Sequence, residues 1–299
     1  MKSSKAMFIF STLLLLSCGS PAGSNAVAYP APSDEQKKYW YNGEAELTSF
    51  NLTQARYGEL RTGTAMMIFV TEDFSTKKYT KTDKAGDETT SVLKLNFTKN
   101  FITGIYPYSI FTSSFVPFNG EERALKVSTS IQEWCGHVYM ELIRKKLYNI
   151  CVASYFEDES KKDTELPVTF LEDELWSLIR LNPGSLPIGE QKIIPSFSFI
   201  RLMHVDLKAY DCNIKKEEID SLNSRLSLWY PELERSLSIT YQTEFPYQII
   251  RWEEEYFDGS GDSKQKLKTT GERIKTIRSA YWKKNKNSDQ ELRKELGLD

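Results

Sequence analysis

Residues 132–140 read QEWCGHVYM, so that a carboxylate (Glu133), a thiol (Cys135) and an imidazole (His137) fall within five positions. Two readings compete: a Cys/His centre, or a stretch of β-sheet whose polar face carries these groups. The longer segment from Ala124 to Leu142, ALKVSTSIQEWCGHVYMEL, alternates with a period of two, the signature of a strand. Read as one continuous strand, it places Glu133, Cys135, His137 and Tyr139 on one face, with neighbours about 6.6–6.8 Å apart. Gln132, Trp134 and Val138 take the other face. That geometry offers Cys135 as nucleophile and His137 as base, with Glu133 nearby. Mid-strand is a poor place for such a thiol, because reactive cysteines sit at helix N-termini or sharp turns where their pKa falls. Gly136 marks a bulge or a close backbone approach. A metal reading needs three or four ligands, which His137, His204 and Asp206 supply only if their two strands pair. The reading with most support is a strand whose polar side chains are hydrogen-bonded inside a curved sheet.

The same period of two recurs along the chain. TAMMIFVTEDF (64–74), SVLKLNF (91–97), GIYPYSIFTSSFVPF (104–118), KLYNICVASYFE (146–157), YQIIRWEEEYF (247–257) and RIKTIRSAYW (273–282) all read as strands. RLMHVDLKAYDC (201–212) reads as a half-buried strand, with Met203, Val205, Leu207 and Ala209 inward and His204, Asp206 and Lys208 outward. RLSLWYPELERSLSITYQ (225–242) reads as a hairpin turning at Pro231-Glu232. About ten strands result. Two helices interrupt them. Thr169 and Glu172 form a capping box ahead of an apolar stripe, Leu171, Leu175, Leu178 and Ile179, that stops at Asn182-Pro183-Gly184; Ser288 and Glu291 repeat the device for DQELRKELGL (289–298). The fold class is therefore mainly β: an antiparallel, strongly curved sheet or open barrel, with a covering helix over 170–181 and a short C-terminal helix.

The N-terminus gives an address. Lys2 and Lys5 precede the apolar run MFIFSTLLLL, which leads into Leu15-Leu16-Ser17-Cys18-Gly19. This run is well short of the roughly twenty apolar residues that cross a bilayer, and a cysteine between small residues fits a lipoprotein signal. The expectation is a signal peptide over 1–17, acylation at Cys18, a flexible Gly/Pro/Ala/Ser-rich tether over 18–34, and one antiparallel β domain over 35–299. The location is then the bacterial cell envelope, as an outer-membrane lipoprotein, with the periplasmic and surface faces both open.

Charge narrows the partners. The chain has 39 basic and 41 acidic residues; losing Lys2 and Lys5 with the leader leaves 37 against 41, a net charge near −4. Such a balance argues against nucleic acid, whose binding rests on phosphate neutralisation. The segment 262–299 is locally basic, with 11 basic and 6 acidic residues, which fits either a solvated face or contact with anionic headgroups. No glycine-rich phosphate loop, histidine-rich metal helix or Gly-x-Ser-x-Gly elbow occurs, and no cofactor is expected. Cys135, Cys151 and Cys212 are an odd number, so at most one internal disulfide forms; a Cys135–Cys151 bridge and buried free thiols both remain open.

YWYNGEAELTSFNLTQARYGELRTGTAMMIFVTEDF (39–74), LKLNFTKNFITGIYPYSIFTSSF (93–115), VSTSIQEWCGHVYMEL (127–142) and FPYQIIRWEEEY (245–256) resemble a family of uncharacterised lipoproteins of Bacteroidetes-type bacteria. The resemblance spans nearly all of the mature chain and implies no activity. That family often bears the label septum formation inhibitor Maf, which implies a nucleotide pyrophosphatase. The Ser-x-Ser-Pro-Arg-Arg motif and alternating β and α segments of true Maf proteins are missing here, so the label is set aside. A more distant architectural similarity is to the open β-barrels that carry lipoproteins in bacterial envelopes.

Aromatic residues crowd the first half of the chain. Amphipathic rings of this kind build either core or an apolar pocket with a polar rim, and Tyr57, Tyr106, Tyr108, Phe111, Trp134 and Tyr139 are the candidate ligand contacts. Arg56 and Arg61 bracket Tyr57-Gly58-Glu59-Leu60 and read as solvated surface or as contacts to an anionic headgroup. The functional expectation is a non-catalytic binder or carrier of an apolar or amphipathic ligand such as a lipid, or an assembly component with an envelope protein partner. The alternative is an envelope enzyme or metal site built on Glu133, Cys135 and His137.

Overall fold

A computed structural model describes residues 32–84, 86–118, 123–157 and 162–298. Cys18, the leader and most of the tether lie outside the described residues. The described chain runs α1 (Asp34–Trp40), β1 (Ala45–Arg56), β2 (Glu59–Ser75), β3 (Thr80–Lys81), β4 (Thr89–Thr103), β5 (Tyr106–Pro117), β6 (Lys126–Glu133), β7 (Gly136–Arg144), β8 (Tyr148–Ser154) and β9 (Lys162–Leu166). It continues through β10 (Phe170–Leu171), α2 (Glu172–Leu181), β11 (Gly189–Ile194), α3 (Phe197–Met203), β12 (Tyr210–Glu218), β13 (Asn223–Tyr230), β14 (Arg235–Gln242), β15 (Ile249–Asp258), β16 (Gln265–Ser279) and α4 (Glu291–Glu295).

All sixteen strands belong to one sheet, ordered β10-β11-β12-β13-β14-β15-β16-β1-β2-β4-β5-β6-β7-β8-β9, with β3 appended to β2. Every pairing is antiparallel except the two-residue contact of β10 with β11. The fold class read from the sequence is therefore the observed one, with more strands than the ten expected. The sheet does not close, since β9 and β10 are its two free ends. Residues 167–169 cross the seam between them: the Thr169 carbonyl accepts from Tyr148 of β8, and its hydroxyl donates to the Lys192 carbonyl of β11.

Alternation places one apolar face of each strand in a common core. Leu93, Leu95 and Phe97 of β4, Leu226, Leu228 and Tyr230 of β13, and Leu237, Ile239 and Tyr241 of β14 all point there. The hairpin predicted at Pro231-Glu232 forms, with Tyr230 opposite Arg235. The convex side is partly covered by the C-terminal segment, where Leu296, just past α4, packs with Ala45, Leu47 and Val70.

The helix predicted over 170–181 spans 172–181, and it lies within the curve of the sheet rather than as a cover over an empty one. All ten of its residues are buried, the charged ones included. Leu175, Leu178 and Ile179 are at most 2 % exposed, each contributing about 1.5–3 kcal/mol by burial. Its capping box differs from the expected one: the Glu174 carboxylate accepts from the backbone of Leu171, while Thr169 is committed to the seam. Two other helices were not expected from the sequence. α1 starts with a capping box between Ser33 and Gln36. α3 is capped by the Ser196 hydroxyl on the Phe199 amide and ends at His204, which adopts a left-handed φ of 52°.

Two strand readings are corrected. Residues 201–209 are the end of α3 and a loop, and β12 begins only at Tyr210. The period of two persists in the burial, with His204 and Asp206 exposed and Met203, Val205 and Leu207 half-buried, because the loop drapes over the core. Residues 124–142 are a hairpin: Gln132 pairs with His137 and Glu133 with Gly136, leaving Trp134-Cys135 as a two-residue turn. The turn reverses the parity, so Val138 and Met140 face the core while His137 and Tyr139 face outward. Glu133, Cys135, His137 and Tyr139 therefore do not share a strand face. Gly136 is a close-approach glycine, since a Cβ there would lie 2.7 Å from the Tyr155 ring.

Candidate functional site

Antiparallel connectivity brings the β1–β2, β4–β5, β6–β7 and β15–β16 turns, together with the end of α3, to one end of the sheet. A cleft of about 410 Å³ opens there, lined by Arg56, Tyr57, Tyr108, Glu133, Cys135, Phe156, Arg201–His204, Asp258–Ser260 and Ser263. Five candidate residues thus meet: Tyr57, Tyr108, Glu133, Cys135 and His204.

Arg56, the last residue of β1, organises the cleft. It is only 7 % exposed, so the expectation of a solvated surface arginine does not hold. The next two residues, Tyr57 (φ 58°) and Gly58 (φ 75°), form the two-residue turn of a tight hairpin, with both φ positive as a type I′ turn requires. Folding back on this turn sets the Arg56 guanidinium 4.0 Å from the centre of the Tyr57 ring. Its Nη1 donates to the Leu202 carbonyl at 2.6 Å, and its Nη2 donates to the hydroxyls of Tyr57 and Tyr108 at 3.1 and 3.3 Å. Those hydroxyls bond each other at 2.7 Å. Tyr108 stacks on Phe101, and Tyr106 links it to Trp134 with ring centres 6.0 and 6.2 Å apart. An aromatic ladder therefore runs from the exposed β6–β7 turn to the buried arginine. Arg61 is partly buried and paired with Glu59 at 2.5 Å.

The opposite wall comes from the β15–β16 turn. Asp258, 3 % exposed, accepts from the amides of Gly58 and Gly259 through Oδ1. Among the described residues its Oδ2 is buried without a hydrogen-bond partner, and so is Nε of Arg56. At the end of α3, Arg201 Nη1 lies 3.1 Å from His204 Nε2, and the Arg201 guanidinium sits 4.8 Å from the Phe156 ring centre.

Cys135 does occupy a sharp turn, where a nucleophile would be presented, but its electrostatics oppose that role. The Glu133 carboxylate accepts from the Cys135 amide at 2.6 Å and pushes the thiol pKa up, favouring the protonated form. His137 is on the outer face of the sheet and does not line the cleft. None of Cys135, Cys151 and Cys212 is in a disulfide, so the Cys135–Cys151 bridge is not formed. Among the described residues no three His, Cys, Asp or Glu side chains converge to hold a metal ion, and the set His137, His204, Asp206 is not assembled. Phe111 and Tyr139 are outward-facing and about 40 % exposed, hence outside the cleft. Asp258, Arg201 and Phe156 were missed; the one signal for the first was the turn-rich run Asp258-Gly259-Ser260-Gly261-Asp262.

A second polar cluster lies inside the curve, at the start of α2. Arg235 holds Glu172 and Glu254, and Tyr230 donates to Glu172 at 2.8 Å. The space beside it, near Lys99, Asp173, Ser196 and Ser198, measures about 20 Å³, room for a single water molecule. At the other end of α2, Arg180 pairs with Glu46 through both terminal guanidinium nitrogens, Nη1 and Nη2. These clusters anchor the helix, and the space beside them is too small for a ligand; the end cleft, at about 410 Å³, is large enough for one.

No protein-family model matches the chain, and no curated protein matches its sequence. Among solved structures, it is similar to a β-barrel-like protein of a domain of unknown function from Brucella abortus, at 9 % identity and a TM-score of 0.44, over 78 % of this chain and 97 % of that one. It is also similar to a porin-like protein from Bacteroides uniformis, at 10 % identity and a TM-score of 0.24, over 78 % of this chain and 95 % of the other.

Proposed function

We propose that this chain is a non-catalytic binder of a small amphipathic ligand, tethered through Cys18 to a bacterial envelope membrane, and that the ligand sits in the end cleft. The supporting observation is the buried Arg56, held among Tyr57, Tyr108 and the backbone of Leu202 on a wall of that cleft. A guanidinium there, with Arg201 and His204 on the same cleft, suits an anionic head, while Phe156, Leu202 and Met203 offer apolar contact to a short length of chain. The interior of the sheet is taken by α2, so the reading differs from a carrier that encloses its cargo inside the curl. An envelope enzyme on Glu133 and Cys135 is disfavoured by the raised thiol pKa. The test is isothermal titration of the chain with lysophosphatidylglycerol, beside Arg56→Met. Binding by the native chain and a loss of about 10–100-fold in the variant is expected for a charge-assisted contact. Equal affinities would remove Arg56 from the site, and a native chain that binds neither this lysolipid nor its ethanolamine counterpart would overturn the reading.

A further inference from the structure

Two residues that line the cleft each keep a buried polar atom with no hydrogen-bond partner among the described residues, and the two atoms are of opposite kind. Arg56 Nε is a donor with no acceptor, and Asp258 Oδ2 is an acceptor with no donor. Both side chains are more than nine-tenths buried and both line the cleft. Leaving such atoms unpaired in a low-dielectric setting is unfavourable, and a ligand that satisfies both removes the penalty twice. The two walls are held in fixed relation, because Asp258 Oδ1 accepts from Gly58, two residues beyond Arg56 in the same turn. Glu133 adds a second carboxylate to the cleft.

Resting on the binding reading above, we infer that the ligand head is zwitterionic: an anionic group that accepts from Arg56 and a protonated amine that donates to Asp258. A purely anionic head would answer the arginine and leave the buried carboxylate facing a like charge. The chemistry is that of a phosphoethanolamine group, carried either on a lipid or as the free compound, and the acyl chain separates these two sources.

The experiment titrates the full chain with lysophosphatidylethanolamine, its N-acetyl derivative and lysophosphatidylglycerol of the same acyl length, and with O-phosphoethanolamine. The expected result is at least tenfold tighter binding of lysophosphatidylethanolamine than of the other two lysolipids. Asp258→Asn, which keeps an oxygen for the Gly58 and Gly259 amides, is expected to abolish that preference, weakening lysophosphatidylethanolamine and relieving the like charge that faces lysophosphatidylglycerol. The ligand series on the native chain decides the matter even if the variant misfolds. Equal affinity for the three lysolipids overturns the amine contact and leaves the binder reading standing. O-phosphoethanolamine binding as tightly as its lipid form supports the zwitterion and assigns the free compound as the source. No binding of any lysolipid or of O-phosphoethanolamine overturns both.

Discussion

Arg235 and Glu172 face each other in the core as a two-pronged pair, Nη1 to Oε2 and Nη2 to Oε1, both at 2.6 Å and both side chains at most 2 % exposed. The pair fixes the first turn of α2 to β14, and Arg180 with Glu46 fixes the last turn to β1. Breaking such a pair leaves an uncompensated buried charge, which costs about 3–5 kcal/mol. Arg235→Met is therefore expected to lower stability by that order, as read by urea denaturation. Glu172→Met combined with Arg235→Met is expected to cost less than the sum of the single changes, because the double variant removes both members. Strict additivity would show that the two side chains are not coupled.

The carboxylates at the start of α2 respond to pH in opposite senses. Burial pushes Asp173 from 3.8 to about 7, with only the Phe197 amide and nearby cations opposing it. Its folded form therefore prefers to be protonated. Its contribution to stability is full below about pH 4 and is lost as pH rises towards 7, a change on the order of 4 kcal/mol at most. For Glu172, burial raises the pKa but Arg235 more than offsets it, so the carboxyl is lowered and its contribution is lost as pH falls below the usual carboxylate range. Asp173→Asn is expected to flatten the decline in stability between pH 4 and 7 while leaving the acid limb in place. An unchanged profile in urea melts across that interval would refute the assignment.

Gly271 of β16 lies against the ring of Trp252, and a Cβ at this position would come within 2.0 Å of it. Trp252 in turn meets Phe50, Phe97 and Trp176 with ring centres 4.8–5.9 Å apart, tying α2 to the sheet. Displacing it disturbs this whole cluster, and overpacking of this kind costs about 1–3 kcal/mol or more. Gly271→Ala is expected to lose at least about 2 kcal/mol in thermal or chemical unfolding. Adding Trp252→Phe should recover part of the loss, since the smaller ring leaves the methyl room.

The strands were legible because alternation is a local property: the hairpin read over 225–242 forms, and Leu237, Ile239 and Tyr241 alternate into the core. The α2 stripe was legible for the same reason. What was not legible depended on turns and on partners distant in sequence. Trp134-Cys135 carries no Gly, Asn or Pro to announce a hairpin, so two strands read as one and the apparent face of Glu133, Cys135 and His137 was lost. Arg56 looked like surface because its partners, Leu202 and Tyr108, are 146 and 52 positions away. Arg180 and Arg235 were hidden in the same way, since nothing local reveals that Glu46 and Glu172 await them.

Thiol chemistry gives the last test, and it bears directly on the catalytic alternative. Cys135 is exposed at its turn, whereas Cys212 is buried and its thiol pushed up to about 12 by that burial. Exposure alone makes Cys135 the faster of the two towards Ellman's reagent in the folded chain. The hydrogen bond and charge of Glu133 hold down its thiolate fraction, so the rate at pH 7 should be modest and should rise by about threefold or more in Glu133→Gln. Cys135→Ser should remove that phase and leave ligand binding in the cleft unchanged. A native Cys135 that reacts faster than a free cysteine, and slows when Glu133 is neutralised, would mean that the carboxylate activates the thiol, and the enzyme reading would replace the binder.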